Sequence, residues 1–358
     1  MAKIMVSPGK YVQGKGVLGN MDEHIGGLGS EILAVCDPFI LENMLTDIEE
    51  GLSGKNITIA EFGGESSQQE IKRLQEKAEQ ENCDLVAGFG GGKTLDAAKA
   101  AAYYLELPVV IFPTIAATDA PCSALSVIYT EEGVFEEYLF LPKNPELVII
   151  DTGIIARAPV EFLVSGMGDA LATFFEAKAC SLTRKKNIPG GAQTSAALSL
   201  AHLCYEILME YGLPAKKAVQ ANAVTEAVDK IVEANTLLSG LGFESGGLAA
   251  AHAIHNGFTV LEEAHDKYHG EKVAFATIVQ LILEDRPTKI IHDVVSFCRQ
   301  IGLPTSLQEL GIERIKEKDI MRVAEASCAE GETIHNMPFE IKPHMVKDAI
   351  LAADNFNF

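Results

Sequence analysis

Four of the nine histidines in the 358-residue chain fall within residues 245–272, which read SGGLAAAHAIHNGFTVLEEAHDKYHGEK. They are His252, His255, His265 and His269. Apolar residues at helical spacing between Leu248 and Phe258 predict a helix, on which His252 and His255 share a face. Histidines held this close together are candidate metal ligands or proton carriers. One core histidine and three surface histidines would give the same pattern, so the spacing leaves both interpretations open.

A catalytic zinc usually takes three protein ligands and keeps one coordination position open, so two histidines need a further partner. Asp169, in the stretch SGMGDAL at residues 165–171, is the best carboxylate candidate and is expected at the start of a helix. Glu161 and Glu176 compete with it by residue type. The periodicity of this segment does not choose between the three carboxylates.

The first glycine-rich segment, GKGVLG at residues 14–19, is a literal GxGxxG, and Asp37 follows it at the end of a predicted strand. An acidic residue at that place commonly holds a ribose 2′-hydroxyl of a dinucleotide. A plain turn explains the glycines equally well, so Asp37 is the more informative residue.

The second glycine-rich segment, GFGGGKT at residues 88–94, follows a predicted strand and opens a predicted helix. Glycines let the backbone approach a diphosphate closely, and the N-terminus of a helix favours its negative charge. The segment is not a P-loop, because Ala87 stands where that motif needs its first glycine. A tight strand-to-helix turn is the alternative explanation.

A third loop, PTIAATDAPCS at residues 113–123, also follows a predicted strand and is rich in small hydroxyl side chains. In open α/β sheets, ligands bind beside loops at the carboxyl ends of the strands. Asp119 is the one acid of this loop. It is a candidate for binding a hydroxyl group of a ligand, and the alternative is that it caps a turn.

Short β-rich runs alternate with helical patterns up to Asp151, after which only helical patterns follow. The predicted strands are 32–36, 57–62, 85–89, 109–113, 124–129 and 147–151. The predicted helices are 67–80, 94–105, 168–178, 192–211, 218–238, 248–264, 272–283, 290–301, 313–329 and 343–354. This alternation implies a mostly parallel sheet covered by helices. We therefore predict an α/β, Rossmann-like dinucleotide-binding domain over residues 1–158 and an all-helical metal-binding domain over residues 159–358.

Composition narrows the classes of function. The formal net charge of −21 argues against nucleic acid or an anionic membrane surface as a partner. No run of 18 apolar residues predicts a transmembrane helix, and the start MAKIMVSPGKY lacks an apolar signal core. Seven cysteines without a CxxC pair argue against a disulfide framework and a thiolate zinc site, so we expect a protein of the reducing cytoplasm.

Five segments together resemble the glycerol dehydrogenases, the zinc-dependent branch of the iron-containing alcohol dehydrogenase superfamily. They are GFGGGKTLDAAK (88–99), PTIAATDAPCSALSVIY (113–129), SGMGDALATFFEA (165–177), ESGGLAAAHAIHNGFT (244–259) and HGEKVAFAT (269–277). The resemblance covers essentially the whole chain, and several long motifs in the right order make it specific. It implies the two-domain fold of dehydroquinate synthase and the iron-containing alcohol dehydrogenases.

The resemblance also implies roles for individual residues. Zinc would be held by Asp169, His252 and His269. NAD would be bound by Asp37 at the adenosine ribose, by Gly91, Gly92, Lys93 and Asp96 around the diphosphate, and by Thr114, Thr118, Ser123, Leu125 and Tyr129 along the rest of the nucleotide. The catalytic residues would be Asp119 and His255, and the substrate would contact Asp119, Phe243, His252 and His269.

Two positions refine the resemblance. Thr173 stands four residues after Asp169, where iron-dependent members carry a further histidine, so the resemblance implies Zn²⁺ rather than Fe²⁺. Lys93 ends the glycine loop where many relatives have serine, in agreement with the glycerol branch. The implied reaction is NAD-dependent oxidation of glycerol and related vicinal diols to dihydroxyacetone by a homo-oligomer such as an octamer. The alternative is glycerol-1-phosphate dehydrogenase or another polyol or alcohol dehydrogenase of the superfamily.

Overall fold

The structure is a computed structural model that describes residues 1–314 and 316–356. Its chain forms two compact units. The α/β unit comprises Val6–Pro159 and Ala218–Val232. The helical unit comprises Met1–Met5, Val160–Lys217 and the chain from Glu233 onward.

The described residues form eight strands. They are β1 (Tyr11–Gly14), β2 (Glu31–Cys36), β3 (Asn56–Glu61), β4 (Leu85–Gly90), β5 (Val109–Pro113), β6 (Leu125–Tyr129), β7 (Phe135–Phe140) and β8 (Leu147–Asp151). Six of them form a parallel sheet in the order β1-β8-β5-β4-β2-β3. The other two, β6 and β7, form an antiparallel ribbon. All six predicted strands are present with ends within one residue, and β1 and β7 are additional.

The described residues also form fourteen α-helices. In chain order they are α1 (Met21–Ile25), α2 (Pro38–Gly51), α3 (Gln68–Gln80), α4 (Gly92–Leu105), α5 (Thr152–Ile155), α6 (Val160–Ser181), α7 (Ser195–Gln220), α8 (Glu226–Glu233), α9 (Ser239–Gly246), α10 (Ala250–Phe258), α11 (His269–Leu283), α12 (Thr288–Ile301), α13 (Glu317–Ser327) and α14 (Pro343–Asp354). The predicted fold class is thereby confirmed. The predicted first turn of the helix at 313–329 includes Ile315, which lies outside the described residues.

The single helix predicted over residues 218–238 is wrong. The chain leaves helical geometry at Asn222, whose φ of 51° is left-handed, and re-enters it at α8. A π-helical turn over Ala234–Leu238 then leads into α9. Gly247, with a φ of 104°, ends α9, because this conformation is favoured by glycine and rare for other residues.

The central strands are buried on both faces, as expected for a parallel sheet between helices. Every residue of β4, β5 and β8 is buried. Phe89 on β4 and Phe112 on β5 stack with ring centroids 4.3 Å apart. This packing fixes the carboxyl ends of the strands, from which the ligand-binding loops are expected to emerge.

The strand order creates a crevice at the carboxyl ends of β2 and β4. The chain runs outward from β2 to β3, and then returns to add β4 on the other side of β2. The loops after β2 and β4 therefore diverge to opposite faces and leave a space between them, which is where nucleotides bind in such sheets.

Two short segments depart from the boundary predicted after residue 158. Met1–Met5 lies in the helical unit, where Ile4 N donates to Ala192 O at 3.1 Å. Ala218–Val232 lies in the α/β unit, where Gln13 Nε2 donates to Asp229 O at 2.9 Å. A change in sequence pattern locates the boundary between the two long segments. It does not show that a short segment of one belongs to the other unit. Among the described residues no helix is both long and apolar enough to span a lipid bilayer.

Candidate metal centre and nucleotide site

Three side chains of the helical unit converge on one point. Asp169 lies on α6, His252 on α10, and His269 is the first residue of α11. Oδ1 of Asp169 is 3.3 Å from Nε2 of His252 and 3.0 Å from Nε2 of His269. The exposed fraction is 1% for the Asp169 side chain, 14% for His252 and 37% for His269. The cluster is therefore closed behind Asp169 and open beside His269.

Two glycines explain why the ligand-bearing helices come so close. A Cβ added at Gly270 would lie 1.8 Å from Ser165 O, and one added at Gly168 would lie 2.3 Å from Gly270 O. Only glycine permits this contact between the backbones of α6 and α11. Since Gly168 precedes Asp169 and Gly270 follows His269, the contact places these two candidate ligands side by side.

The spacing of the three side chains suits a small divalent metal ion. Their candidate ligand atoms all lie within 4.8 Å of one another. In a tetrahedral site with bonds of about 2.1 Å, neighbouring ligand atoms lie about 3.4 Å apart. The distances of 3.0 and 3.3 Å from Asp169 are close to this value. The described residues therefore offer two imidazoles and one carboxylate at metal-binding distance.

The carboxylate and the histidines shift one another's protonation. Burial would raise the pKa of Asp169, but His269 and His252 outweigh it and hold that pKa well below its usual range. Burial would lower the pKa of His252, but Glu176 and Asp169 raise it well above its usual range. Without a metal, the cluster thus stabilises positive charge on His252 beside a negative Asp169.

The structure corrects the local setting of two predicted ligands. Asp169 lies in the middle of α6 rather than at its start, because this helix begins at Val160. His269 is the first residue of α11, a helix that the sequence predicted to begin only at residue 272. The backbone N–H of Tyr268 donates to Glu271 Oε2 at 2.8 Å, which is half of a capping box and marks this helix start.

The two competing carboxylates do not join the cluster. Glu161 lies in the first turn of α6. Glu176 is buried behind His252, with its Oε2 2.5 Å from Nδ1 of the imidazole. Thr173, at the position where iron-dependent members carry a further histidine, bonds elsewhere. Its Oγ1 lies 2.8 Å from Ser239 Oγ in a buried hydrogen bond between α6 and α9.

The other histidines of this stretch differ from the candidate ligands. His255 is buried, and its ring meets that of His269 edge-on with centroids 4.2 Å apart. Burial, followed by the neighbouring charges of His269 and Lys272, holds the pKa of His255 well below its usual range. His265 is exposed, and its Nε2 lies 2.9 Å from Thr259 O. His255 is therefore a buried, neutral histidine beside the cluster, whereas His265 is a surface histidine.

In the α/β unit, Asp37 and the second glycine loop flank the crevice at the end of the sheet. Asp37 is the N-cap of α2, and its Oδ1 accepts a hydrogen bond from Ile40 N at 3.0 Å. A Cβ added at Gly90 would lie 2.7 Å from Asp37 Oδ2 and 2.9 Å from Thr94 Oγ1. The missing side chain keeps this part of the crevice open between β2 and β4.

The N-terminus of α4 faces the same crevice. Gly91 is its N-cap and, among the described residues, receives no side-chain cap. The first N–H groups of α4 are therefore free to bind a diphosphate. Nζ of Lys93 lies 2.6 Å from Glu65 Oε1 and 5.1 Å from the centroid of the Tyr129 ring, over which it sits.

The hydroxyl-rich third loop passes close to this helix start. Thr114 N donates to Gly90 O at 3.1 Å. A Cβ added at Gly92 would lie 3.9 Å from Thr118 Oγ1. Ser123 is buried and its Oγ donates to Ala120 O at 3.0 Å, while Leu125 begins β6. Asp119 precedes the 3-10 turn Ala120–Cys122, and its side chain does not cap that turn.

Sequence reasoning missed Lys99, which lies on α4 and anchors the third loop. Its Nζ is 2.9 Å from Asp96 Oδ1 and donates to Ala120 O at 3.1 Å and to Leu125 O. Asp96 Oδ2 accepts from Val127 N at 3.1 Å. The signal in the sequence that points to Lys99 is its place one helical turn after Asp96, on an alanine-rich face of the helix. The carboxylate of Asp96 thus has partners within the protein.

The GxGxxG at residues 14–19 forms a turn at the edge of the sheet. Gly16 has a φ of 81°, and a 3-10 helix follows over Val17–Asn20. Leu18 N donates to Asp151 Oδ2 at 3.1 Å. Since β8 and β5 separate β1 from β4, this turn is three strands, or about 14 Å, from the glycine loop after β4.

Comparison with known proteins places the chain in a family. Residues 8–152 match the family model of the iron-containing alcohol dehydrogenases. The chain is 54% identical to the glycerol dehydrogenase of Citrobacter freundii over 356 residues, which cover 99% of this chain and 98% of that protein. The chain belongs to the glycerol dehydrogenase family. It is also 52% identical to the enzyme of Thermotoga maritima, with the same coverage of each chain.

The glycerol dehydrogenase fold is confirmed by a solved structure. The probable glycerol dehydrogenase of Sinorhizobium meliloti superposes with a TM-score of 0.94 at 44% identity, covering 99% of each chain. Membership in this family of oxidoreductases confirms the resemblance that the five sequence motifs carry. The roles of Asp119, Phe243 and His255 stay predictions, and Phe243 is found buried within α9.

Proposed function

We propose that the protein oxidises glycerol and related vicinal diols, with glycerol giving dihydroxyacetone, and transfers the hydride to NAD. The observation that carries this proposal is the cluster of Asp169, His252 and His269, whose ligand atoms lie within 4.8 Å of one another. The proposal is further supported by the identity of 54% to a glycerol dehydrogenase over nearly the full chain.

Asp169, His252 and His269 would hold zinc as two imidazoles and one carboxylate, a ligand set that leaves a coordination position for substrate. When bound, zinc would supply Lewis acidity that lowers the pKa of a substrate hydroxyl. The same set of ligands also suits Fe²⁺. We favour zinc because Thr173, at the position where iron-dependent relatives carry a fourth ligand, is hydrogen-bonded to Ser239.

The crevice of the α/β unit would hold NAD, which accepts a hydride at its nicotinamide ring. Asp37 would accept hydrogen bonds from the adenosine ribose, and the N-terminus of α4 would bind the diphosphate. The proposed contacts at and near the diphosphate are Gly91, Gly92, Lys93 and Asp96. Those along the rest of the nucleotide are Thr114, Thr118, Ser123, Leu125 and Tyr129.

Substrate selection would depend on hydroxyl groups. Asp119 would orient a terminal hydroxyl, and a site built to hydrogen-bond hydroxyls rejects substrates that lack them. Phosphorylated substrates fit less well, because the two lysines near the metal cluster are engaged elsewhere. Lys272 is buried and reaches Ala264 O at 3.5 Å, and Lys267 pairs with Glu271 at 3.9 Å. This favours glycerol over glycerol-1-phosphate.

Further proposals concern the compartment and the assembly. All seven cysteines are free, which supports a reducing cytoplasm. Three aromatic side chains on β7, Phe135, Tyr138 and Phe140, are 49%, 43% and 59% exposed. An exposed apolar surface of this kind supports a homo-oligomer.

Removal of the metal tests the proposed reaction directly. Purified protein with NAD and glycerol is expected to form NADH, and preincubation with a chelator is expected to abolish the reaction. Added Zn²⁺ should restore it, because the cluster of two histidines and one aspartate remains folded. The absorbance of NADH at saturating glycerol measures all three states. An absence of reduction with glycerol and with every vicinal diol tested would refute the proposal.

Replacing Asp37 by serine is expected to reduce the preference for NAD over NADP by about tenfold or more, because the carboxylate would no longer repel a 2′-phosphate. Serine retains an N-cap oxygen for α2, whereas glycine would also remove the hydrogen bond to Ile40 N. The ratio of kcat/KM for the two cofactors measures the effect. Asp47, on the same helix, supplies the matched control: Asp47→Ser should leave the ratio unchanged, and an unchanged ratio in Asp37→Ser would contradict the assigned role.

A further inference from the structure

A buried glutamate lies directly behind one of the candidate metal ligands. The Glu176 side chain is 0% exposed, and its Oε2 lies 2.5 Å from Nδ1 of His252. Asp169 stands seven residues earlier on α6, so the two carboxylates project from the same side of one helix. Oδ1 of Asp169 lies 3.3 Å from Nε2 of the same ring. A single helix therefore holds the imidazole of His252 at both nitrogens.

The second oxygen of Glu176 holds the backbone that carries this ring. Oε1 accepts hydrogen bonds from Ala249 N at 2.8 Å and from His252 N at 3.1 Å. The first turn of α10 receives no side-chain cap from Ala249, and its N–H groups have no partner within the helix. Glu176 therefore fixes both the main chain and the imidazole of His252.

We propose that Glu176 is a positioning residue that selects the tautomer of His252 able to bind the metal, an inference that rests on the metal site proposed above. Both carboxylates have only acceptor atoms, but Glu176 Oε2 is 2.5 Å from Nδ1 whereas Asp169 Oδ1 is 3.3 Å from Nε2, so the hydrogen of the neutral imidazole stays on Nδ1, facing Oε2. Nε2 then keeps its lone pair on the side of Asp169 and His269. Hydrogen bonding at Nδ1 also makes the ligand nitrogen more basic.

Glu176→Gln reverses this selection with little change in shape. The amide oxygen can keep the two backbone hydrogen bonds from Ala249 and His252, which places the amide nitrogen against Nδ1. That nitrogen is a donor, so the ring hydrogen moves to Nε2 and blocks the ligand atom. We expect the affinity for Zn²⁺, measured by competition with a chromophoric chelator, to fall about 10–100-fold. The metal-free variant should stay folded at the assay temperature, because the charge of His252 keeps Asp169 as a partner.

Gln280→Met is the matched control for a purely structural role. Gln280 is buried on α11, and its Oε1 accepts from Ala251 N at 2.9 Å in the same first turn of α10. Its loss should lower the melting temperature of the metal-free protein and leave the affinity for Zn²⁺ unchanged. Reconstitution with Co²⁺ gives a second readout, because its visible absorption reports the ligand set. The Co²⁺ spectrum should change in Glu176→Gln and stay the same in Gln280→Met.

The outcomes separate the role of Glu176 from the existence of the site. Zn²⁺ affinity in Glu176→Gln equal to that of the unchanged protein would overturn the proposal, as would a loss that only accompanies unfolding of the metal-free protein. No Zn²⁺ binding by the unchanged protein would overturn the metal site itself, and this proposal with it. The shorter pair Glu176→Asp and Glu176→Asn repeats the test if the glutamine variant does not fold. Glu176→Asp should bind Zn²⁺ about tenfold more tightly than Glu176→Asn. Equal Zn²⁺ affinities of these two variants would overturn the proposal.

Discussion

Replacing His252 by alanine is expected to remove the bound metal and to lower kcat/KM for glycerol by about 10³-fold or more. A loss of that size equals about 4 kcal/mol of transition-state stabilisation. The physical reason is the loss of one of three ligands, which leaves Asp169 and His269 unable to retain the ion. The fold should persist, because the backbone N–H of residue 252 keeps its hydrogen bond to Glu176. Elemental analysis, steady-state kinetics and far-ultraviolet circular dichroism measure the three effects.

His265→Ala is the matched control for this prediction. His265 belongs to the same stretch of sequence but is exposed, and its ring nitrogen contacts Thr259 O at 2.9 Å. The variant should keep its metal and a kcat/KM within about twofold of the unchanged protein, as surface substitutions usually do. Normal metal content in the His252 variant would refute the ligand assignment. Equal losses in both variants would indicate disruption of the whole stretch instead.

The periodicity of the sequence could not choose between the three carboxylates, and the structure shows why. Glu161, Asp169 and Glu176 all lie on the single helix α6. The spacing of seven residues between Asp169 and Glu176 puts both on one face. What distinguishes them is the contact between Gly168 and the carbonyl of Gly270, which sets α11 beside one turn of α6. That contact joins residues about a hundred positions apart, and no local pattern encodes it. The family motifs supplied the choice of Asp169.

The fold was predictable where burial leaves a continuous apolar run. Strands β2, β4, β5 and β8 have this pattern because both faces of the sheet are covered. β1 has four residues, all half-buried, and β7 is mostly exposed, so neither carries a clear period. The start of α11 was placed three residues late because its first turn is polar. Its cap residue is Tyr268, which is not among the usual N-cap residues.

Replacing Lys99 by methionine is expected to lower the free energy of unfolding of the α/β unit by about 3–5 kcal/mol. The side chains of Lys99 and Asp96 are 0% and 7% exposed, so the change leaves a buried carboxylate without its counter-charge. Burial already raises the pKa of Asp96, although Lys99 opposes this effect. Without Lys99 the pKa of Asp96 rises further above its unfolded value, so stability should fall as the pH increases. The loss of unfolding free energy caused by Lys99→Met should therefore be smaller in mildly acidic than in mildly alkaline buffer. Denaturant titration followed by circular dichroism measures it, since the chain has no tryptophan.

The double variant Lys99→Met, Asp96→Leu distinguishes the ion pair from general packing. Removing both charges should recover part of the lost stability, because no unpaired charge remains buried. The recovery should be incomplete, because Val127 N loses its acceptor and that costs about 1–3 kcal/mol. Both variants also release the third loop at Ala120 and the start of β6 at Leu125, whose carbonyl oxygens accept hydrogen bonds from Lys99, so KM for NAD should rise in both. A double variant less stable than Lys99→Met alone would show that Asp96 stabilises the fold through other partners. Unchanged KM values would show that the loop keeps its shape without Lys99.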